Sequence, residues 1–192
     1  MGSNEAGNEG ETVPARTIAE AHVYMDLHPC ACGATGFGRR LHLLDRRPGM
    51  RARYDGSCTS CGSTREFEFT LPAAEALSGP HSRFGAGQRP SAIIDAGQWM
   101  LVADAHAEAV SAELGDPRLA RSHLETSAAA TAEVMAFVDE DIDAVPRRAL
   151  WTSSGLRQYD AEPGRFARGA LEAVRSEYRD MVAGLDAMIE PR

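Results

Sequence analysis

Between residues 65 and 71 apolar and polar positions alternate, with Phe67, Phe69 and Leu71 set against Glu66, Glu68 and Thr70. A period of two puts these sets on opposite faces, so the segment predicts a half-buried antiparallel strand. Two shorter strand-like runs precede it: 39–46, with Leu41, Leu43 and Leu44 as its apolar positions, and 51–56. The turn signal Arg47-Pro48-Gly49 separates them. Further upstream, Thr17 with Glu20 three residues later reads as a capping box. It opens a short helix with Ile18, Ala21, His22 and Met25 on one side. Pro29 disfavours helix at His28 and turns the chain there.

From residue 91 the period lengthens to that of a helix. One helical segment is expected from about Pro90 to Leu114 and another from Pro117 to Val138, with Asp116-Pro117 as cap and first-turn pair. A third start lies between Asp143 and Pro146 and leads through Trp151, with Gly155 ending or kinking it. The last opens near Glu162-Pro163 and carries Phe166, Ala170, Val174, Tyr178, Met181, Leu185 and Met188 to about Ile189. Between the two patterns, Pro72, Gly79, Pro80, Gly85, Gly87 and Pro90 break any period. The expected organisation is an unstructured N-terminus over 1–16, a sheet module with its short helix over 17–72, a linker over 73–90 and a helical module over 91–192. The class is α+β: a small antiparallel sheet followed by three or four helices.

Composition supports folding through most of the 192 residues, since 43% are hydrophobic and 25% charged. No run of 18 apolar residues exists, and the N-terminus lacks the basic, apolar and small-residue pattern of a secretory signal. A cytoplasmic protein without a membrane span is therefore expected. All 20 basic residues are Arg, which together with abundant Ala, Gly, Asp and Glu indicates GC-rich coding. Residues 81–192 hold 12 Arg against 18 acids, so the helical part is the acidic one.

The four cysteines all fall within 30–61, as Cys30-Ala-Cys32-Gly33 and Cys58-Thr-Ser-Cys61-Gly62. Short spacings let two sulfurs from one turn face the same ion, and the Gly after each pair suits a turn that needs positive φ. The arrangement resembles a zinc ribbon over about residues 28–72. That resemblance implies two knuckles at one end of a small antiparallel sheet and one structural Zn²⁺ on Cys30, Cys32, Cys58 and Cys61. The Cys-x-Cys pair departs from the commoner Cys-x-x-Cys and leaves room for His28 or His22 as a fourth ligand, although both read first as helix-end or surface residues. Iron shares the four-thiolate ligand set. Two disulfides would need an oxidising compartment. Cys58 to Cys61 also sits between strands, unlike the redox motif that opens a helix. Four thiolates fill the shell that catalytic zinc keeps open, and the His-x-Glu of zinc deaminases is missing, so the expected role is structural.

No other constellation carries chemistry, and neither an enzyme nor a small-molecule substrate is expected. Asp95, Asp104, His106 and Glu108 lie close together in the sequence, but 104, 106 and 108 would not share a helix face, so they read as solvated positions. Ser153-Ser154, His123 and Asp160 lack a nucleophile elbow. Gly33-x-x-Gly36-x-Gly38 lacks the Walker Lys and a following helix. Trp99 and Trp151 read as core by default, with a partner-facing anchor as the alternative.

Two charged stretches bear on partners. Residues 39–53 carry Arg39, Arg40, Arg46, Arg47, Arg51 and Arg53 against Asp45, a net of +5, which suits a nucleic-acid surface or a solvated face paired with acids of the same chain. Asp139, Glu140, Asp141 and Asp143 form an acidic run suited to a basic protein partner. With Asp26-Leu27-His28-Pro29-Cys30 before the ribbon and Glu162-Pro163-Gly164-Arg165-Phe166 before the last helix, the chain is similar to small uncharacterised proteins of GC-rich bacteria associated with polymorphic-toxin loci. The resemblance implies no catalytic residues. The expected function is a non-enzymatic protein-interaction or adaptor role, of which an immunity protein masking a toxin is one version. Nucleic-acid binding through the ribbon arginines is the alternative.

Overall fold

Four strands form one sheet: β1 (Val13–Pro14), β2 (Arg40–Asp45), β3 (Met50–Ser57) and β4 (Thr64–Leu71), in the order β1-β4-β3-β2. The computed structural model describes residues 12–45, 50–72, 84–85, 89–112 and 115–189. The chain divides into two compact units, Met1–His81 and Ser82–Arg192. β2, β3 and β4 are antiparallel neighbours, whereas β1 runs parallel to β4. The fold is α+β, with five α-helices among the described residues, four of them in the second unit.

Register follows the alternation in the sequence. Met50 opposes Leu71, Ala52 opposes Phe69 and Tyr54 opposes Phe67, so one face of the sheet is apolar. Helix α1 (Ile18–Leu27) covers it, burying Ala21 and Met25, with Tyr24 edge-on to Phe69 at 5.8 Å and His22 edge-on to Tyr54 at 5.3 Å. Thr17 caps the helix by accepting from the Glu20 amide at 3.0 Å. The buried Glu20 carboxylate turns back to the amide and guanidinium of Arg16, at 2.6 and 2.9 Å. Order begins before Thr17, contrary to the composition-based expectation for 12–16. The Ala15 amide donates to Thr70 O at 3.0 Å, and Ala15 is buried. Residues 1–11 lie outside the described residues. Leu41 and Leu43 remain partly exposed because β2 is an edge strand.

In the second unit, α2 is Ala96–Ala112, α3 is Pro117–Met135, α4 is Ser153–Ala161 and α5 is Arg168–Ile189. Single 3-10 turns occupy Arg147–Ala149 and Pro163–Phe166. Asp116 caps α3 as its sequence implies, accepting from the amides of Arg118 and Leu119 at 3.0 and 3.2 Å. Val110, Ala120 and Leu124 pack against Tyr178, Val182 and Leu185 of α5. Of the stripe expected there, Ala170, Met181 and Met188 are exposed, and Leu171 and Val182 turn inward in their place. Three expectations need correcting. The helix start expected between Asp143 and Pro146 gives only the 3-10 turn Arg147–Ala149, and α4 starts later at Ser153 under its Thr152 cap. Helix does not begin at Pro90, because Ser91 Oγ captures the amides of Ile93 and Ile94 at 3.2 and 3.0 Å and delays the start to Ala96. Gly155 does not end a helix but lies in the first turn of α4.

The reason for Gly155 is Asp95. This carboxylate is fully buried and accepts from Gln98 N at 2.8 Å, Trp151 N at 3.1 Å, Thr152 N at 2.7 Å and Thr152 Oγ1 at 2.7 Å. Gln98 Oε1 returns the bond to Asp95 N at 3.1 Å, completing a capping box on α2. Thr152 Oγ1 also accepts from Gly155 N at 3.0 Å and so caps α4. One anion therefore serves two helix N-termini, where the peptide dipoles favour negative charge. A Cβ on Gly155 would lie 2.2 Å from Asp95 Oδ1, and one on Gly97 would lie 2.4 Å from Gly155 Cα. Neither position has room for a side chain.

Asp95→Ala should therefore destabilise the second unit by roughly 3 to 5 kcal/mol, since it removes a cap and leaves buried donors unsatisfied. Asp95→Asn keeps one accepting oxygen and should lose about half as much, on the same basis. Urea denaturation followed by circular dichroism measures both. A change within about 0.5 kcal/mol for the Ala variant, the range of ordinary surface substitutions, would show that the carboxylate does not hold the two helix ends.

Candidate metal centre

Each cysteine pair sits on a tight turn at one end of the sheet. In the first, Gly33 N donates to Cys30 O at 2.7 Å and Cys30 N to Ala34 O at 2.8 Å. In the second, Gly62 N donates to Cys58 O at 3.0 Å and Cys58 N to Ser63 O at 2.8 Å. Gly33 and Gly62 adopt φ of 86° and 76°, the left-handed conformation that favours glycine. A bridge between Phe37 and Cys58 and a bond from Thr59 N to Gly36 O at 3.1 Å join the turns.

The turns bring Cys30 Sγ to 3.6 Å from Cys61 Sγ and Cys32 Sγ to 3.6 Å from Cys58 Sγ. All four sulfurs lie within 4.8 Å of one another. A tetrahedron with metal–sulfur bonds of about 2.3 Å has sulfur–sulfur edges of roughly 3.8 Å, so the four could hold one metal ion. The cysteines are free, and 3.6 Å is far beyond a disulfide bond of about 2.05 Å.

The electrostatics favour a cation. Hydrogen bonding from Ser63, whose Oγ lies 3.3 Å from Cys61 Sγ, lowers the Cys61 thiol to about 6. Backbone amides of Cys61 and Ser60 lower Cys58. At Cys32 the Ala34 amide acts downward, but the crowding sulfurs of Cys61 and Cys58 prevail and push it up to about 11. Such a set deprotonates fully only when a positive ion offsets the repulsion, and metal binding then releases protons.

His28 and His22 are not part of the cluster. The His28 ring stacks on Tyr24 at 4.0 Å with Nδ1 2.7 Å from Tyr24 O, and His22 packs on Tyr54. Sequence reasoning missed Arg65. This residue is only 8% exposed, and its guanidinium lies over the adjoining rings of Phe37 at 4.7 Å and Phe67 at 5.0 Å. It donates to Thr35 O at 3.2 Å and to His28 O, carbonyls on either side of the first cysteine turn. The signal was available: Arg65 shares the odd-numbered apolar face of β4 with Phe67 and Phe69, where a charged residue needs a reason.

The remaining candidates are dispersed. Arg39 pairs with Asp26, Arg40 with Asp55 at 3.7 Å, Arg51 with Glu68 and Arg53 with Glu66 at 2.8 Å. Arg46 and Arg47 lie outside the described residues. Asp104 holds Gln158 Nε2 at 2.8 Å and Arg165 Nη1 at 3.0 Å, while His106 Nδ1 is 2.9 Å from His123 Nδ1. Asp160 pairs with Arg147 at 3.0 Å, so Ser153, His123 and Asp160 have separate roles. In the acidic run, Asp139 pairs with Arg148, and Arg168 Nη2 binds Asp139 O at 2.7 Å and Ile142 O at 2.9 Å. Glu140, Asp141 and Asp143 are exposed. Trp99 is core as expected, but Trp151 is 48% exposed.

Arg65→Ala should weaken metal affinity about 10- to 100-fold, the usual effect of losing a group that orients metal ligands. Arg65→Lys should recover little, because an ammonium cannot bridge two carbonyls over two rings as a planar fork does. Competition with a chromogenic chelator reads both, and wild-type affinity in the Ala variant would remove Arg65 from the site. No family model, no curated protein and no solved structure matches the chain, so the reading of the site rests on its own geometry.

Proposed function

We propose that the protein is a non-enzymatic, protein-binding adaptor whose first unit is held together by one structural Zn²⁺ on Cys30, Cys32, Cys58 and Cys61. The observation that carries the reading is the closed set of four sulfurs within 4.8 Å. Four thiolates complete a tetrahedral shell and leave no position for a water or a substrate, which is the arrangement of structural zinc. Zinc is the metal this donor set and ribbon-like hairpin suit best.

Protein binding is preferred over nucleic-acid binding because of where the charge is spent. Arg39, Arg40, Arg51 and Arg53 are each within ion-pair distance of an acid of the same chain. Phosphate contacts would have to compete with those acids in a chain of net charge −8. The exposed acids at 139–143 suit a basic protein surface. An immunity-type protein that masks a toxin is one concrete form of this role.

Protein purified without chelator should contain one zinc per chain. Its removal should unfold the first unit, because structural zinc contributes on the order of 10 kcal/mol to such modules. Metal analysis with chelator-dependent loss of β-structure tests the zinc. Fluorescence anisotropy with duplex DNA and structured RNA at low salt should show no binding that Arg39→Glu with Arg40→Glu removes. Binding lost in that double variant would instead establish the nucleic-acid reading.

A further inference from the structure

Trp151 is the large aromatic that the second unit leaves at its surface. It borders an open cleft of about 280 Å³, walled by Pro90, Phe137, Pro146 and Ala149, with Asp139 and Arg148 at its polar side. Its placement is fixed. The Trp151 amide donates to the buried Asp95 at 3.1 Å, and the ring lies edge-on to the buried Phe137 at 6.1 Å. Two prolines restrict the walls further. The cleft is thus formed in advance, and little ordering cost attends its use. Exposed Trp beside a concave apolar surface is the residue type that most often dominates protein interfaces. The cleft is open rather than enclosed, unlike the cavities that bury most of a small-molecule ligand, and it has room for an inserted apolar side chain.

The charged residues lining the cleft, Asp139 and Arg148, pair with each other, and further acids follow Asp139 in the chain. Asp139, on the cleft, starts a turn in which Ile142 N donates to Asp139 O at 3.2 Å, and the Arg168 guanidinium pins both ends of that turn. Asp139 is paired with Arg148, whereas Glu140, Asp141 and Asp143 are exposed and make no ion pair among the described residues. A second copy of the chain would bring the same acidic surface and a net charge of −8, so self-association is disfavoured by repulsion. A basic segment is attracted.

We infer that this cleft receives one apolar side chain from a basic segment of a partner protein, with Trp151 as the anchor and Glu140, Asp141 and Asp143 facing the flanking Lys or Arg residues. The inference rests on the protein-binding reading and names the surface and the chemistry of the partner.

The test uses the full zinc-loaded chain and a fluorescein-labelled nine-residue peptide with four Lys or Arg residues on each side of a central Leu. Two controls replace the Leu by Ala or the basic residues by Glu. The basic Leu peptide should bind and should shield Trp151 from acrylamide quenching, with buried Trp99 as the invariant component of the emission. The Ala peptide should bind about tenfold more weakly and the Glu peptide not at all. Trp151→Ala should weaken binding about tenfold or more. Trp151→Phe, which keeps the packing on Phe137, should fall between if the Ala variant folds poorly. Asp139→Asn with Glu140→Gln and Asp141→Asn should weaken binding about fivefold or more at low salt and little at high salt. Equal binding of the Leu and Ala peptides, equal binding of basic and acidic peptides, or unchanged binding by Trp151→Phe and Trp151→Ala each overturns the proposal. So does shielding of Trp151 by a concentration-dependent dimer in sedimentation. A chain that carries zinc, ignores nucleic acid and fails this peptide test loses the cleft while the adaptor reading stands.

Discussion

Four cysteine sulfurs within 4.8 Å of one another set the terms for the first unit. Deprotonated thiolates at that spacing repel strongly, and a cation among them would offset the repulsion, so the four could hold one metal ion. The rest of the unit offers modest help. Among the described residues its apolar core is Ala15, Ala21, Met25, Phe37, Met50, Ala52, Tyr54, Phe69 and Leu71, with one ten-residue helix on the sheet. At about 1.5 to 3 kcal/mol for each large side chain, such a core offsets little of the ordering entropy of a small module. Modules of this size commonly need a metal or a disulfide as a staple. Arg65 links staple to sheet, because its aromatic neighbours belong to the sheet side and its carbonyl acceptors flank the cysteine turn.

The second unit solves a related problem with the opposite sign. Two helix N-termini, each with unsatisfied amides and partial positive charge, share one buried carboxylate at Asp95. The shared anion leaves no room for a side chain at Gly155, which explains a glycine that helix propensity alone would disfavour. It also fixes the backbone at Trp151, so a residue at the surface inherits the rigidity of a buried one.

What could be read from the sequence follows from whether the governing contact is local. The β4 alternation, the caps at Thr17 and Asp116 and the positive-φ glycines after each cysteine pair all depend on neighbours within a few residues, and each is found in place. The α5 stripe is met only in part, with Met181 and Met188 exposed. The convergence of the two cysteine pairs was inferable because chemistry supplies the long-range constraint that spacing alone does not. Asp95 was misjudged as a solvated position, since its donors at Trp151 and Thr152 lie more than 50 residues away. Gly155 was taken for a helix stop for the same reason. Trp151 was assigned to the core because its apolar neighbours in sequence are buried, as Ala149 and Leu150 are, while its own side chain points along the cleft.

The arginine-only composition looked like a coding habit and nothing more, yet the structure gives it physical consequences. Arg65 and Arg168 each donate to two backbone carbonyls, His28 and Thr35 in one case and Asp139 and Ile142 in the other. A planar guanidinium can satisfy two acceptors in fixed directions while stacking on a ring; a lysine ammonium is a flexible point charge that holds neither geometry. Both arginines stiffen loops, one the first cysteine turn and the other the turn from Asp139 to Ile142. The remaining ribbon arginines meet acids across the strands, as Arg51 does Glu68 and Arg53 does Glu66. Such exposed pairs add little stability, about 0 to 1 kcal/mol each. Their larger effect is on the surface, where Arg39, Arg40, Arg51 and Arg53 each lie within ion-pair distance of an acid while Glu140, Asp141 and Asp143 are exposed without an ion pair among the described residues. The sequence allowed for a basic stretch paired with acids of its own chain, and which acids those are depends on strand register, which a linear reading does not supply.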